Sequence, residues 1–515
     1  MNIRRIWMGG MLFVCAIVQA QNTFLNDRLT AVDDLNGSAR YVGMGGALGA
    51  LGADLSVISS NPAGIGLYRK NDLGLSFGVV IPNGNGWDSN LQSSYGENLS
   101  RASFDQLGFV WSNRGDGKLK FWNLAFNYQK KANYNQGFFA DNDNLGGLSQ
   151  MDQMAALVNG NGTESFATAN NLAGLARAPY EKDKTKDNYY LAEDATGKRY
   201  NNYDSKNNAY SRHQRGSLQA YDFNAAFNVN DRVYTGLTFG VENLNYREWN
   251  EYAEWGNDGG LNHSLYNDVE IDGYGLNLKL GLIVRPIEES PFRVGLAAET
   301  PTWYRLSNST LFNLDKSDRL ESYLEYTIRT PWKGRLSMGS TVGSVFAWGL
   351  EYEFANYGQT TTGYPRWDKN DPNHSGLASE KDLAMTNHTR QTLKGQHTLK
   401  AGVEVKPIPE FAIRAGYNYI SGRYKDGATF DQYNINSKAM DYATNTDYMT
   451  LGDANIVTLG LGWKAKRFYV DMSYKFRAQY GDFYAFDTTG MTGSINPVRV
   501  NLNKHQVQLG MGFKF

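Results

Sequence analysis

Stretches in which every second side chain is apolar recur along this chain, and they constrain its fold more than any other feature. The C-terminal segment 504–515 places Gln, Gly or Lys between the apolar residues Val507, Leu509, Met511, Phe513 and Phe515. Comparable alternation occurs in residues 122–129, 233–241, 274–284 and 411–419. A period of two is typical of β-strands with one apolar face. The pattern therefore predicts many such strands, although a soluble sandwich would also show it.

The connections between these strands alternate between short and long. The short ones are 112–118, 228–231, 285–291, 341–345, 406–410 and 464–467. The long ones are 83–100, 132–215, 252–269, 306–320, 359–395, 425–452 and 485–503. They imply fourteen strands if 321–340 is one strand with a local break at Pro331. Outer-membrane barrels have an even strand number, short periplasmic turns and long outer loops. We therefore predict an all-β, fourteen-stranded antiparallel transmembrane β-barrel.

The N-terminus predicts export. Arg4 and Arg5 precede an apolar run from Ile6 to Val18, and a small residue, Ala20, follows. This is the pattern of a cleaved secretory signal, so residues 1–20 are expected to be a signal peptide. No later segment has the length and apolarity of a spanning helix. A membrane location would then require a closed barrel, because only helices and barrels satisfy the backbone in lipid.

The composition argues against several other functions. A net charge of −1 gives no indication of nucleic-acid binding. The single cysteine, Cys15, lies in the predicted signal, so the mature chain would have no disulfide or thiolate site. No two of the six histidines have metalloprotease spacing, and DNDN at 141–144 lacks the distal Glu of a calcium loop. We expect no enzymatic activity, no cofactor and no metal.

The segment 38–78 does not alternate and is rich in Gly and Ala. A fourteen-stranded barrel is too wide for its own side chains to fill. We therefore expect residues 21–71 to form a plug, or hatch, inside a barrel formed by residues 72–515, with 132–215 as its longest loop. Pro62 restricts the backbone of Asn61, so this pair predicts a turn where the plug meets the wall. The alternative is a simple helix end before the first strand.

The segment Ser38–Gly78, above all Ser60-Asn61-Pro62-Ala63-Gly64, resembles the FadL/TodX-type outer-membrane transporters of hydrophobic compounds. LEYTIRTPWKGRLSMG and the last strand resemble the family more weakly, and the Asn- and Tyr-rich loops look like those of a Bacteroidetes member. The resemblance implies a monomer whose N-terminal hatch closes a fourteen-stranded barrel. It also implies passive uptake of long-chain fatty acids, aromatic hydrocarbons or similar molecules. The family's Asn-Pro-Ala motif maps onto Asn61, Pro62 and Ala63, followed by Gly64.

Three further expectations concern partners. Phe138, Phe139, Leu148, Met151 and Met154 in the longest loop could line a groove for a hydrophobic ligand, or form a small core that holds the loop together. The terminal aromatics Phe513 and Phe515 resemble the signal that barrel-assembly machinery reads. Outer-membrane lipid and lipopolysaccharide would surround the wall. The alternative functions are a FadL-like carrier of secreted cargo, a haemin receptor and a general porin.

Overall fold

The computed structural model describes residues 22–31, 34–84, 101–160, 172–177, 191–201, 203–315, 320–366, 379–440 and 443–515. The predicted signal peptide lies outside them. None of the helices in this part of the chain has the length and apolarity to cross a bilayer. The α-helices are α1 (Thr23–Thr30), α2 (Ala39–Gly43), α3 (Gln150–Gly160), α4 (Leu172–Arg177) and α5 (Leu383–Thr392). Short 3₁₀ helices span Leu55–Ser59, Pro62–Leu67 and Tyr357–Gln359.

The described part of the chain also contains twenty-one strands. In chain order these are β1 (Asp72–Gly84), β2 (Arg101–Arg114), β3 (Leu119–Asn133), β4 (Gln136–Asn142), β5 (Leu191–Glu193), β6 (Arg199–Asn201), β7 (Ser205–Val229), β8 (Val233–Gly256), β9 (Leu261–Val284), β10 (Arg293–Glu299), β11 (Trp303–Leu314), β12 (Leu320–Arg329), β13 (Lys333–Val342), β14 (Phe346–Asn356), β15 (Thr361–Pro365), β16 (Ser379–Lys381), β17 (Gly395–Ile408), β18 (Phe411–Ile420), β19 (Tyr448–Ala465), β20 (Phe468–Tyr484) and β21 (Val498–Lys514).

Fourteen antiparallel staves form a closed wall. A stave is one strand of the wall, or two consecutive strands that continue each other across a short break. The order is β1, β2, β3, β7, β8, β9, β10, β13, β14, β17, β18, β19, β20 and β21, and β21 pairs with β1 from Asp72↔Lys514 to Gly84↔Leu502. Closure leaves no edge strand in the wall, so each stave pairs its backbone with a neighbour on both sides. The predicted fold class is confirmed.

Two neighbouring staves are interrupted at the same height. β10 and β11 are separated by Pro301, and β12 and β13 by Pro331. Below the break Glu299 pairs with Lys333, and above it Trp303 pairs with Arg329. Proline has no N–H and cannot continue the ladder. The segment 321–340 is therefore one stave with a local break, as predicted.

The outer surface of the wall is apolar and the inner surface is mostly polar. Leu280 is 59% exposed and Leu459 56%, whereas Gln506 and Gln508 on the last strand face inward and are buried. Soluble monomers rarely expose so large a continuous apolar surface. The wall therefore faces lipid over the height of this belt.

Two of the predicted long connections are wrong. Only residues 257–260 separate β8 from β9, and only 315–319 separate β11 from β12, so most of 252–269 and 306–320 is strand. Polar residues such as Ser264, Asp268 and Ser307 occupy outward positions there, so the apolar outer face that marks the other strands is missing. Pairing continues because the inward residues Leu265, Val269 and Ile271 are buried against the interior. These strands extend beyond the apolar belt at the long-loop end of the barrel.

Candidate functional site

The described residues of the N-terminal segment, 22–31 and 34–71, pack against the inner face of the wall. Its side chains Val42, Val57 and Ile65 share one apolar cluster with the inward-facing wall residues Val110 and Ile456, and all five are fully buried. Fourteen strands enclose more space than wall side chains can fill. The segment supplies the missing volume.

The Asn61–Gly64 stretch forms a turn against the wall. Asn61 caps the 3₁₀ helix Pro62–Leu67, because its Oδ1 accepts a hydrogen bond from Ala63 N at 3.2 Å. Its Nδ2 donates to Leu282 O on β9 at 3.4 Å, and Asn224 Nδ2 on β7 donates to Pro62 O at 3.4 Å. The turn therefore spans three consecutive staves, β7 to β9.

Glycines of the wall make room for this turn. A Cβ added at Gly281 would collide with Asn61 Oδ1 and would lie 2.7 Å from Ala63 N. A Cβ at Gly236 would lie 2.6 Å from Ala63 N. On the other side of the bore, a Cβ added at Gly402 would likewise collide with the carbonyl oxygen of Met44. The backbone of the segment thus packs directly on the backbone of the wall.

Helix α1 crosses the lumen above this packing and is tied to opposite walls. Asp27 accepts hydrogen bonds from Arg423 Nε and Tyr424 OH, both at 2.6 Å. On the other side Arg28 Nη1 forms an ion pair with Glu248 at 2.6 Å. All of these groups except Arg28 are nearly or fully buried. Breaking such buried pairs is costly, so α1 is firmly held.

A cavity of about 130 Å³ lies beside α1. Its lining is aromatic and aliphatic on one part and polar on another. The apolar part includes Phe24, Leu29, Phe138, Tyr424, Met449, Leu451 and Leu502; the polar part includes Gln136, Arg212, Gln214, Arg477, Gln479 and Lys504. The combination suits a small molecule with an apolar body and a polar group.

Two donors in the polar part have no partner. Gln136 Nε2 and Arg212 Nε are buried and make no hydrogen bond within the described residues. Arg212 Nη1 bonds Asp447 at 3.1 Å, and its guanidinium carbon lies 4.4 Å from the centre of the Phe138 ring. Buried polar groups are usually satisfied. These two N–H groups are therefore available to an acceptor in the cavity.

The lysines near the cavity differ in whether they have a carboxylate partner. Burial alone would raise the pKa of Asp34, but the ammonium groups of Lys475, 2.7 Å away, and Lys504 hold that pKa below its ordinary value. Lys504 Nζ itself donates to a backbone carbonyl, Asn133 O, at 2.9 Å. No carboxylate lies within 4 Å of it in the described chain. The cavity can thus accept a negative group.

The five residues predicted to line a groove do not all line one common cavity in the described structure. Phe138 lines the cavity, and Met151 and Met154 on α3 are fully buried in the same apolar cluster as Phe138, with Leu148 packed against it. Phe139 points the other way and packs on a separate pair of alanines. A ligand role for these five residues stays a prediction.

Helix α3 owes its position to a buried carboxylate. Glu254 accepts hydrogen bonds from Ser149 Oγ at 2.6 Å and from Gln150 N at 3.0 Å. Tyr252 OH donates to it as well, at 2.6 Å. The start of α3 is thereby fixed to strand β8, which explains why its methionines are held in the core.

Sequence analysis missed Gln136 and Arg212. They come near the cavity because β4 pairs with β7, so that Gln136 lies opposite Gln214 and Phe138 opposite Arg212. The residues are 76 positions apart in the chain, and no local pattern links them. Only a correct assignment of this strand pair from the sequence could have indicated the site.

The terminal aromatics lie at the short-turn end of the wall. Phe513 is 42% and Phe515 49% exposed on the outer face, and their rings are stacked. Phe515 and Asn71 exchange two backbone hydrogen bonds of 3.1 Å, which closes the end of the β21–β1 seam. Their recognition by assembly machinery stays a prediction.

Comparison with known proteins supports the fold. No family model and no curated protein matches the chain. A solved FadL homologue from Pseudomonas aeruginosa is 12% identical, with 97% of this chain and 99% of that chain covered and a TM-score of 0.50. A deletion mutant (deltaS2) of the TodX monoaromatic hydrocarbon channel is 10% identical, with 94% and 100% covered and a TM-score of 0.52. The chain therefore has the fold of the FadL- and TodX-type barrels.

Proposed function

We propose that the protein is an outer-membrane channel for the passive uptake of small hydrophobic molecules, among them fatty acids and aromatic hydrocarbons. The observation that carries the proposal is the cavity beside α1, with its aromatic lining and two unpartnered donors. The short-turn end would face the periplasm, as in other outer-membrane barrels. TodX, whose fold this chain shares, is a monoaromatic hydrocarbon channel, which agrees with this class of ligand.

The size and chemistry of the cavity limit what it holds. About 130 Å³ is close to the roughly 150 Å³ of an engineered apolar cavity that binds benzene. One aromatic ring, or the head of a longer chain, would fit without rearrangement. Because Gln136 Nε2 and Arg212 Nε lack acceptors, we expect a molecule with a carboxylate to bind better than a hydrocarbon of equal size.

The route onward is proposed to pass through the wall. Below α1 the lumen contains buried ion pairs such as Lys131–Glu242 at 2.7 Å and Arg335–Glu299 at 2.9 Å, which oppose an apolar solute. The ladder between β2 and β3 ends at Gln106↔Gln129, so the upper part of this seam is not held by backbone pairing. Side-chain contacts bridge it: Lys130 Nζ donates to Ser103 Oγ at 2.9 Å, and the rings of Phe104 and Tyr128 stack with their centres 5.4 Å apart.

Ligand binding to the purified barrel tests the proposal. We would titrate benzoate and toluene into wild-type protein and a Gln136→Leu variant and measure binding by calorimetry. Loss of one hydrogen bond to a charged group costs about 1.5–3 kcal/mol. Gln136→Leu should therefore weaken benzoate binding roughly tenfold or more, with toluene binding unchanged or improved.

Gln391→Leu is the matched control, because Gln391 is exposed on α5 and does not line the cavity. It should bind both compounds like the wild type. Equal benzoate affinity in all three proteins would contradict a ligand site beside α1. A large steady ion current through the wild-type barrel in a bilayer would contradict the closed channel altogether and favour a general porin.

A further inference from the structure

A second cavity, of about 90 Å³, lies between the N-terminal segment and the inner face of the wall. Strands β13, β14, β17 and β18 line one side of it, and the segment lines the other side with residues such as Tyr41 and Ser60. Only Asp34 also lines the cavity beside α1, and the ammonium of Lys475 holds its carboxylate at 2.7 Å. The two cavities therefore differ in nearly all of their lining.

Two buried side chains in this second cavity have no partner. Lys333, the first residue of β13, is 7% exposed, and its ammonium forms neither an ion pair nor a hydrogen bond with the described residues. Asn418 on β18 is 2% exposed, and its side-chain amide makes no hydrogen bond with them either. Buried polar groups are usually satisfied, and an unpaired buried charge is costly. Both side chains therefore point to a ligand that accepts hydrogen bonds.

The other cations that line the second cavity already have carboxylate partners. The ion pairs are Arg335–Glu353 at 2.5 Å, Arg335–Glu299 at 2.9 Å, Lys400–Glu351 at 2.8 Å and Lys131–Glu242 at 2.7 Å. Glu353, which also faces the cavity, lies 3.8 Å from Lys400 as well, so its charge is engaged twice. Among the described lining residues, Lys333 is thus the cation without a carboxylate within 4 Å. One negative charge in the cavity would balance it.

The size of the second cavity and its donors restrict the ligand. About 90 Å³ is well below the roughly 150 Å³ of an engineered cavity that binds benzene, and well above the roughly 10–15 Å³ that one water requires. A carboxylate with few carbons has one negative charge and two oxygens, which match one ammonium and one amide donor. A phosphate would bring more negative charge than the ammonium of Lys333 offsets.

We propose that the second cavity binds a small monocarboxylate such as acetate, whose oxygens accept hydrogen bonds from the Lys333 ammonium and the Asn418 amide. The proposal goes beyond uptake through the cavity beside α1, because neither Gln136 nor Arg212 lines the second cavity. It therefore holds or fails independently of the proposed function. Since the cavity is formed only when the segment is docked in the folded barrel, the ligand should stabilise the folded protein.

The rise of the melting temperature with added acetate tests the proposal. The purified barrel is melted at increasing concentrations of sodium acetate and, in a parallel series, of sodium chloride, and the apparent affinity is obtained from each shift. Lys333→Met keeps the length of the side chain and removes its charge, so it should weaken acetate binding about tenfold or more. Asn418→Leu should weaken it about threefold or more. Only the ligand-dependent shift is compared, so a change in stability caused by the substitution itself does not enter.

The matched control is Lys394→Met, which removes the same charge from an exposed position next to β17 and should keep the wild-type affinity. Wild-type melting that does not respond to acetate, or equal acetate affinity in the wild type and Lys333→Met, would overturn the proposal. A loss of affinity in Gln136→Leu and not in Lys333→Met would overturn it by placing the acetate beside α1. A chloride shift as large as the acetate shift would overturn it in favour of a site for any small monoanion.

Discussion

The packing of Asn61–Gly64 on wall glycines predicts that a single methyl group should loosen the N-terminal segment. In Gly281→Ala the new Cβ would meet Asn61 Oδ1, Ala63 N at 2.7 Å and Pro62 N at 2.9 Å. Two of these atoms are backbone and cannot turn away. Overpacking of this kind costs about 1–3 kcal/mol. The wall is closed by backbone ladders on both sides of Gly281, so the segment should be the part that yields.

A cost of about 2 kcal/mol would raise the ratio of undocked to docked segment roughly 30-fold. Ion conductance in planar bilayers should measure this as a rise of similar size in the frequency of open events. Gly334→Ala is the matched control, because a Cβ at this wall glycine would have no heavy atom within 4 Å. Conductance of Gly281→Ala equal to that of Gly334→Ala, with both barrels folded, would refute the argument that close backbone contact holds the segment in place.

Three further predictions concern the interior and the outer loops. Asp27→Asn removes the carboxylate that holds Arg423 and should lower the free energy of unfolding by about 3–5 kcal/mol, measured by thermal or chemical denaturation; an unchanged midpoint would contradict the role of this pair. Deletion of residues 38–64 should convert the barrel into a conducting pore in bilayer recordings, whereas persistent low conductance would count against a plug. Burial lowers the pKa of His388 on α5, although the Thr429 carbonyl and Asp431 oppose this. Since the unfolded chain then binds more protons, the contribution of His388 to the free energy of unfolding should be complete above about pH 6.5 and decrease below it. In melts at pH 7.5 and 5.5, His388→Gln should show a smaller change of melting temperature with pH than the wild type. An identical change in both proteins would exclude His388 as its source.

Residues at several places show how far sequence reasoning extends. Period-two alternation and short turns identified the staves because lipid outside and a polar bore inside impose opposite requirements on successive side chains. The same reasoning failed at 252–269, where the strands leave the belt and their outward residues become polar while pairing continues. Local chemistry gives no signal for a strand that extends into water.

For the candidate site, too, one part could be predicted from the sequence and another part could not. Phe138, Met151 and Met154 are equal candidates as apolar residues of one loop, but only Phe138 lines the cavity, and the two methionines are buried elsewhere in the same apolar cluster. Which apolar residue faces a cavity depends on how β4 pairs with β7 and where Glu254 fixes α3. These contacts join residues more than 60 positions apart, and a pattern confined to a short window cannot report them.

The sequence by itself determined that this chain forms a closed, lipid-facing barrel, because alternation, turn spacing and backbone hydrogen bonding leave no other membrane fold for it. The tertiary structure alone decided where the N-terminal segment docks and where the cavity beside α1 lies. It also decided that Gln136 Nε2 and Arg212 Nε are left without partners. Those features arise from the register of strands far apart in the chain, which packing of the whole barrel selects and local composition does not encode.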